Sequence, residues 1–283
     1  MSGAKTLEGL GGDEFWDGYA SIMGPDGLMT YRYIGGGATA LDRHTSVSTA
    51  RLRRDMRGPA GLLAAPLEIV GGDCLSILDD AIAIPAPTEC VLDILDDGVG
   101  VEEVRVHGEI AHEGRTQIFT RFRVEDAANP GRVLALGTNA SVVVGPVPEG
   151  HRYVPPGPGV TDSPSLPPLW EAFGARRRTD GQYEIPELSV RLGSTSGSLH
   201  HGPTQVVLEA AATDAAAGAA GTDALRVAHW SVIFVRRGKV GPFVTTTEVV
   251  SAGSEVIACQ AALSDDGVGG RTIALATAVF RRV

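Results

Sequence analysis

The chain has 283 residues, 43% of them hydrophobic and 20% charged, and a formal net charge of −10. That length suggests about two domains, and the composition excludes a disordered chain. The acidic balance, with no basic run longer than Arg176-Arg177-Arg178, argues against nucleic acid as a partner.

Other broad features narrow the class further. No stretch of about eighteen apolar residues predicts a transmembrane helix or a membrane partner. The N-terminal Met-Ser-Gly-Ala-Lys leads into acidic, glycine-rich sequence without the apolar core of a signal peptide. Cys74, Cys90 and Cys259 are odd in number, widely spaced and form no CxxC pair. Reduced thiols in a cytoplasmic protein are therefore expected. Abundant Gly, Ala and Val with scarce Lys fits a GC-rich bacterial source.

Taken in chain order, a short helix first carries Trp16 in "FWDGYASIMGPDG" (15–27), ending on an Asp-Gly turn. "GLLAAPLE" (61–68) begins an apolar stretch holding one acid, Glu68. "CVLDILD", "EEVRVHGEIA", "RTQIFTRFRV" and "RVLALGTNASVVV" then have the lengths and β-branched content of strands. Residues 145–168 are crowded with Pro and Gly and read as a linker. Beyond it, "LWEAFGARRRTDG" (169–181) forms a second Trp-bearing helix and Asp-Gly turn, followed by an extended "YEIPELSVRL" (183–192). An apolar helix is expected from about His201–Gly202 to Gly218, with Pro203 in its first turn, where a missing N–H is harmless. Four strand-like runs close the chain: 226–235, 243–252, 255–263 and 271–282.

The two sides of the linker answer each other. Trp16, Tyr19 and Asp26-Gly27 match Trp170, Phe173 and Asp180-Gly181; "GLLAAPLE" matches "GPTQVVLE" (202–209); "GRVLALGT" (131–138) matches "GRTIALAT" (270–277). The offset falls from 154 to 141 to 139 residues, which leaves 13 extra residues in the first copy around 35–47, forming either a lid or an additional strand. Two copies of about 140 residues indicate a domain duplication, not a solenoid. Each copy reads as one strand, a buried helix and four antiparallel strands, an α+β unit with a sheet wrapped around a helix.

The chemistry gathers at the start of the second apolar helix. Free N–H groups there carry partial positive charge and can hold an oxygen that becomes negative. Glu209, two turns in, shares a face with Gln205, Ala212 and Thr213. A carboxylate among apolar residues needs a partner, a raised pKa or a function. The alternative is that Glu209 faces solvent on an amphipathic helix. His200-His201 lacks HxxxH or HExxH spacing, so no metal is expected. "GSTSG" (193–197) has Thr195 where a serine-hydrolase elbow needs Ser, and neither GxGxxG nor a Walker motif occurs.

"GSLHHGPTQVVLE" (197–209) resembles the loop-to-helix signature of hotdog-fold acyl-CoA thioesterases, in particular the phenylacetyl-CoA and 4-hydroxybenzoyl-CoA branches. The resemblance implies two tandem hotdog repeats forming an intrachain pseudo-dimer: residues 1–144 with the N-terminal helix, the linker 145–168, and residues 169–283. It also implies an acyl-CoA thioesterase. The N–H groups of His201 and Gly202 polarise the thioester carbonyl. Glu209 is nucleophile or general base, Thr213 holds water or the acid, and His200 orients the loop or assists the thiolate. Arg236, Arg237 and Lys239, after a strand, either meet coenzyme A phosphates or are solvated turn residues. His201 stands where the family usually has Gly.

In the first copy Pro59 and Ala60 replace the histidines, Gly61 stands for Gly202, Pro66 interrupts the helix just before Glu68, and Gly72 replaces the threonine. That site reads as degenerate. No cofactor beyond the coenzyme A of the substrate is implied, and a homodimer of such chains is compatible with the reading. A hotdog enoyl-thioester hydratase or dehydratase and a non-catalytic acyl-CoA-binding protein are the alternatives.

Overall fold

The structure, a computed structural model, describes residues 6–24, 27–72, 84–150, 152 and 162–283. Cys74, Asp26 and much of the linker lie outside the described residues. In chain order the elements are α1 (Gly12–Met23), α2 (Met29–Ile34), β1 (Ala38–Ala40), β2 (Thr45–Arg51), α3 (Ala64–Gly72), β3 (Ile84–Ile94), β4 (Glu103–Glu113), β5 (Gln117–Asp126) and β6 (Val133–Gly145). After the linker follow α4 (Leu169–Ala172), β7 (Arg176–Arg177), β8 (Tyr183–Ile185), α5 (His201–Ala220), β9 (Leu225–Phe234), β10 (Phe243–Ala252), β11 (Val256–Asp265) and β12 (Arg271–Arg282). The eight long strands fall close to the runs read from sequence. The extended segment after the second Trp shrinks to the three residues of β8.

The twelve strands make one antiparallel sheet in the order β1-β2-β4-β5-β6-β3-β9-β12-β11-β10-β8-β7. The order reads the same from both ends. β3 and β9 meet in the middle, with Leu92 opposite Trp230 and Asp93 opposite His229, and each half carries one helix, α3 or α5, between its edge-side and centre-side strands. Along β4 and β5 buried and exposed side chains alternate, so each strand has one face to water and one to the helices. From Gly202 to Thr213, α5 is buried on every side, as a helix enclosed by a sheet must be. It packs on β10 and β11, and α3 packs on β5 and on α5 itself. One buried cluster runs through both halves, from Leu67 and Leu92 to Leu208, Trp230 and Phe280. α3 lies very close to the sheet. A Cβ on Gly71 or on Gly137 would stand 2.2 or 2.1 Å from the ring of Phe122.

The pairing of Trp16 with Trp170 is corrected by this order. α4 precedes a short strand and then the strand that flanks β10, as α2 precedes β1 and then the strand that flanks β4. The counterpart of α4 is therefore α2, and Tyr33 of α2 meets Phe173 just beyond α4 edge to face, with centroids 6.0 Å apart. α1 stands outside this mirrored order, in a separate cluster of Leu7, Phe15 and Trp16. With α2 in register the offset stays near 140, and no 13-residue insertion is needed. Residues 35–47 supply β1 and the start of β2, the additional-strand alternative. The described linker ends are tied down: Trp16 Nε1 donates to Glu149 O at 2.9 Å, and Leu169 N to Asp55 at 2.8 Å. Cys90 and Cys259 are buried free thiols. Among the described residues no helix is long and apolar enough to cross a membrane.

Candidate active site

The two apolar helices lie against each other, so each acid faces the start of the other helix. Pro203 sits third in α5, and Pro66 third in α3. Proline in a first turn removes no hydrogen bond. Pro66 therefore does not interrupt a helix before Glu68; it belongs to the first turn of α3, which begins later than its counterpart.

At the start of α5, His200 is the N-cap. Its Nδ1 accepts the N–H of Gly202 at 3.3 Å and lies 3.1 Å from Thr30 Oγ1. An Nδ1 that accepts is unprotonated. Burial agrees, holding His200 well below the usual histidine range, with His201 adding in the same sense. Gly202 is closely covered, since a Cβ there would be 2.4 Å from Thr30 Oγ1. The Gly202 amide is thus occupied. The amide of His201 has no acceptor among the described residues. Burial lowers the His201 imidazole too, while Glu68 nearby pulls it upward.

Glu68 is the acid beside this helix start. It is 2% exposed. Asn139 Nδ2 donates to its Oε1 at 2.9 Å, and Gln205 Nε2 donates to its Oε2. Gln205, itself fully buried, accepts from Trp230 Nε1 at 3.2 Å through its other amide atom, which fixes the NH2 toward Glu68. The Cys90 thiol adjoins the same carboxylate; burial and then Glu68 push its pKa well up, so it stays a thiol.

Glu209 is held differently. Its carboxylate accepts the N–H of Ala64 at 2.8 Å and of Ala65 at 2.8 Å. It is 0% exposed, and it caps α3 from the opposite half of the chain. Burial pushes it from 4.5 up to about 7 even though the amides of Ala65, Ala64 and Leu63 pull the other way.

The sequence expectation joined Glu209 to the amides of His201 and Gly202. The structure instead brings Glu68 to that helix start and sends Glu209 to the start of α3. Nor does Glu209 face solvent. Thr213 is buried but is not among the hydrogen-bond partners of Glu209. Gly61 lies in the loop before α3, where a Cβ would meet the Arg57 amide at 2.8 Å. Arg237 pairs with Glu8, and Lys239 Nζ donates to Ser196 O at 2.8 Å in the loop leading to α5, while Arg236 is exposed. Lys239 therefore borders the loop before His200.

Sequence reasoning missed Asn139, Trp230 and Thr30, and placed Gln205 only beside Glu209. Asn139 had a signal: in β6 it shares the inward parity of Ala135 and Gly137. Among the described residues no three His, Cys, Asp or Glu side chains gather as a metal-binding group.

Residues 191–281 match the acyl-CoA thioesterase N-terminal domain family. No curated protein matches the chain in sequence. Among solved structures, acyl-CoA thioesterase II TesB2 of Mycobacterium marinum is similar with a TM-score of 0.61 at 12% identity, over 90% of this chain and 98% of that one. A tesB protein of Mycobacterium avium subspecies paratuberculosis gives 0.56 at 13%, over 87% and 95%. The 12:0-ACP thioesterase of Umbellularia californica gives 0.56 at 12%, over 84% and 94%. At these identities the likeness establishes the fold. Residues 191–281 thus resemble an acyl-CoA thioesterase domain in sequence, and most of the chain shares the fold of these solved thioesterases.

Proposed function

We propose that the chain is a tandem pair of hotdog units, 1–144 and 169–283, that hydrolyses acyl thioesters of coenzyme A at the start of α5, with Glu68 as the acid. The supporting observation is the meeting of a buried carboxylate, anchored by Gln205 and Asn139, with a helix start whose first amide has no acceptor among the described residues.

The thioester oxygen accepts the His201 N–H, where the partial positive charge of the helix stabilises the developing oxyanion. Glu68 takes a proton from water as the hydroxyl attacks the carbonyl carbon. The tetrahedral intermediate collapses with cleavage of the C–S bond, and the sulfur receives the proton from Glu68, giving carboxylic acid and free thiol. A thiolate leaves readily, so no stronger acid is required. His200 stays neutral and holds the helix start. Arg236, exposed just after β9, is assigned to a coenzyme A phosphate.

Glu209 is the second reading, favoured by its carboxyl near 7, a value suited to a general base. Against it, its oxygens already hold the amides that an oxyanion would need. One experiment decides between them. Purified Glu68→Gln and Glu209→Gln are assayed on a panel of acyl-CoAs beside wild type. The Glu68 reading expects kcat to fall about 10³-fold or more in Glu68→Gln and less than about tenfold in Glu209→Gln. The reverse pattern moves the chemistry to Glu209. Water addition to an enoyl-CoA instead of hydrolysis makes the chain a hydratase.

A further inference from the structure

Three buried oxygens on and around Asn139, a partner of Glu68, have no hydrogen-bond partner among the described residues: Thr120 Oγ1, Asn139 Oδ1 and Ser141 Oγ. Their residues are 3%, 5% and 1% exposed. They form a contiguous group on the inner face of the sheet. Thr120 and Asn139 are opposite one another on β5 and β6, and Ser141 is two residues further along β6. Asn139 ties the group to Glu68, since the amide that presents Oδ1 gives its Nδ2 to that carboxylate. Gly72 lies beside the same pair: a Cβ there would stand 3.3 Å from Asn139 Nδ2 and 3.6 Å from Glu68 Oε1.

The fold does not require polar residues here. The second half has the same strand pair, β11 and β12, with Cys259 opposite Ala278 and Phe280 two residues on. All three are buried and apolar. Polar oxygens therefore occur only on the Glu68 side of a repeated frame. Leaving three buried oxygens unpaired is unfavourable, so a bound partner is the economical reason for their presence. With Nδ2 committed to Glu68, Oδ1 of Asn139 can only accept, whereas the Thr120 and Ser141 hydroxyls can accept or donate. A ligand hydroxyl satisfies both demands at once: it donates to Asn139 and accepts from Thr120 or Ser141.

Resting on the thioesterase reading, we propose that the acyl group carries a hydroxyl on a carbon close to the thioester, and that Thr120, Asn139 and Ser141 select it. The test compares kcat/KM for 3-hydroxybutyryl-CoA, each enantiomer separately, with butyryl-CoA. Wild type is expected to favour one hydroxylated enantiomer by about tenfold or more, as sites built to bond a hydroxyl do. Ser141→Ala and Thr120→Val should bring that ratio toward one by losing rate on the hydroxylated substrate alone. A wild-type ratio of one or less for both enantiomers overturns the proposal. If neither substrate is hydrolysed, the thioesterase reading fails, and calorimetry with the non-hydrolysable thioether analogues of both settles the selection. Tighter binding of the hydroxylated analogue, weakened about tenfold in Ser141→Ala, keeps the proposal; equal binding or none ends it.

Discussion

The starts of α3 and α5 occupy equivalent places in the two halves, yet they treat the facing acid in opposite ways. Gly61 corresponds to Gly202 and Ala64 to Gln205. In those terms α5 begins four residues earlier, at His201, while α3 waits until Ala64. Histidine at 200 caps the extra turn with Nδ1. In the first half Ala60 takes a left-handed φ of 55° and gives its N–H to Leu225 O, so no turn can wind there. The amides that the extra turn uses in α5 are left bare in α3, and Glu209 fills them. Glu68, facing a helix whose corresponding amides are already used, is held by side chains instead. One turn of helix thus separates an acid locked as a cap from an acid held beside an amide that has no acceptor among the described residues.

The sharpest way to break this comparison is to remove the lock. Glu209→Ala leaves the amides of Ala64 and Ala65 buried without an acceptor and opens a small cavity. Urea unfolding should show a loss of about 3 kcal/mol. Glu68→Ala, whose donors are flexible side chains, should lose less. Equal losses would mean that both acids serve the same structural role.

The pH dependence sharpens the same contrast. Glu209 titrates near 7 in the fold against 4.5 outside it. Its protonated form is therefore favoured by folding, and that stability is complete below 4.5 and disappears as pH rises through about 7. The swing is on the order of 3 kcal/mol at most. His200 acts in the opposite sense: folding favours its neutral form, so stability is lost as pH falls below 6.5. Unfolding curves from pH 4 to 8 for wild type and Glu209→Gln isolate the carboxyl. The variant should lack the decline toward neutral pH, and an unchanged slope would show that Glu209 is not its source.

On the Glu68 side, Gln205 is a positioning residue. Gln205→Leu removes the donor to Glu68 and the acceptor of Trp230. It should lower kcat about 10- to 100-fold with a smaller change in KM, and shift the acid limb of the pH–rate profile. Gln205→Glu, which keeps the shape but not the donor, should not restore the rate. A variant with unaltered pH profile would reduce Gln205 to packing.

Much of the fold was legible because strands announce themselves locally. Alternation in 102–111 and 115–124, and turn residues between runs, fix β4 and β5 without tertiary information. Both acids were legible as carboxylates in apolar helices. What was not legible was which helix start each one faces, because that depends on how α3 and α5 cross, a relation between residues about 140 apart. Pro66 carried an unused signal. A proline in a first turn marks a late helix start, and that reading would have placed bare amides at Ala64 and Ala65. The Trp16–Trp170 match misled because a shared tryptophan and a shared Asp-Gly outweighed topology; Tyr33-Ile34-Gly35 against Phe173-Gly174 is the weaker likeness and the structural one.

The smallest expected effect concerns the extra turn itself. His200→Ala removes the cap of α5 and the contact with Thr30, and should reduce stability by about 1 kcal/mol. A histidine that only caps should be replaceable by another good cap. Asn at 200 presents a side-chain oxygen to the same Gly202 amide and should restore both stability and most of the turnover lost in the alanine variant. A histidine that transfers a proton to the leaving sulfur has no such substitute. Stability rescued by His200→Asn without turnover would therefore move His200 from the frame of the site into its chemistry.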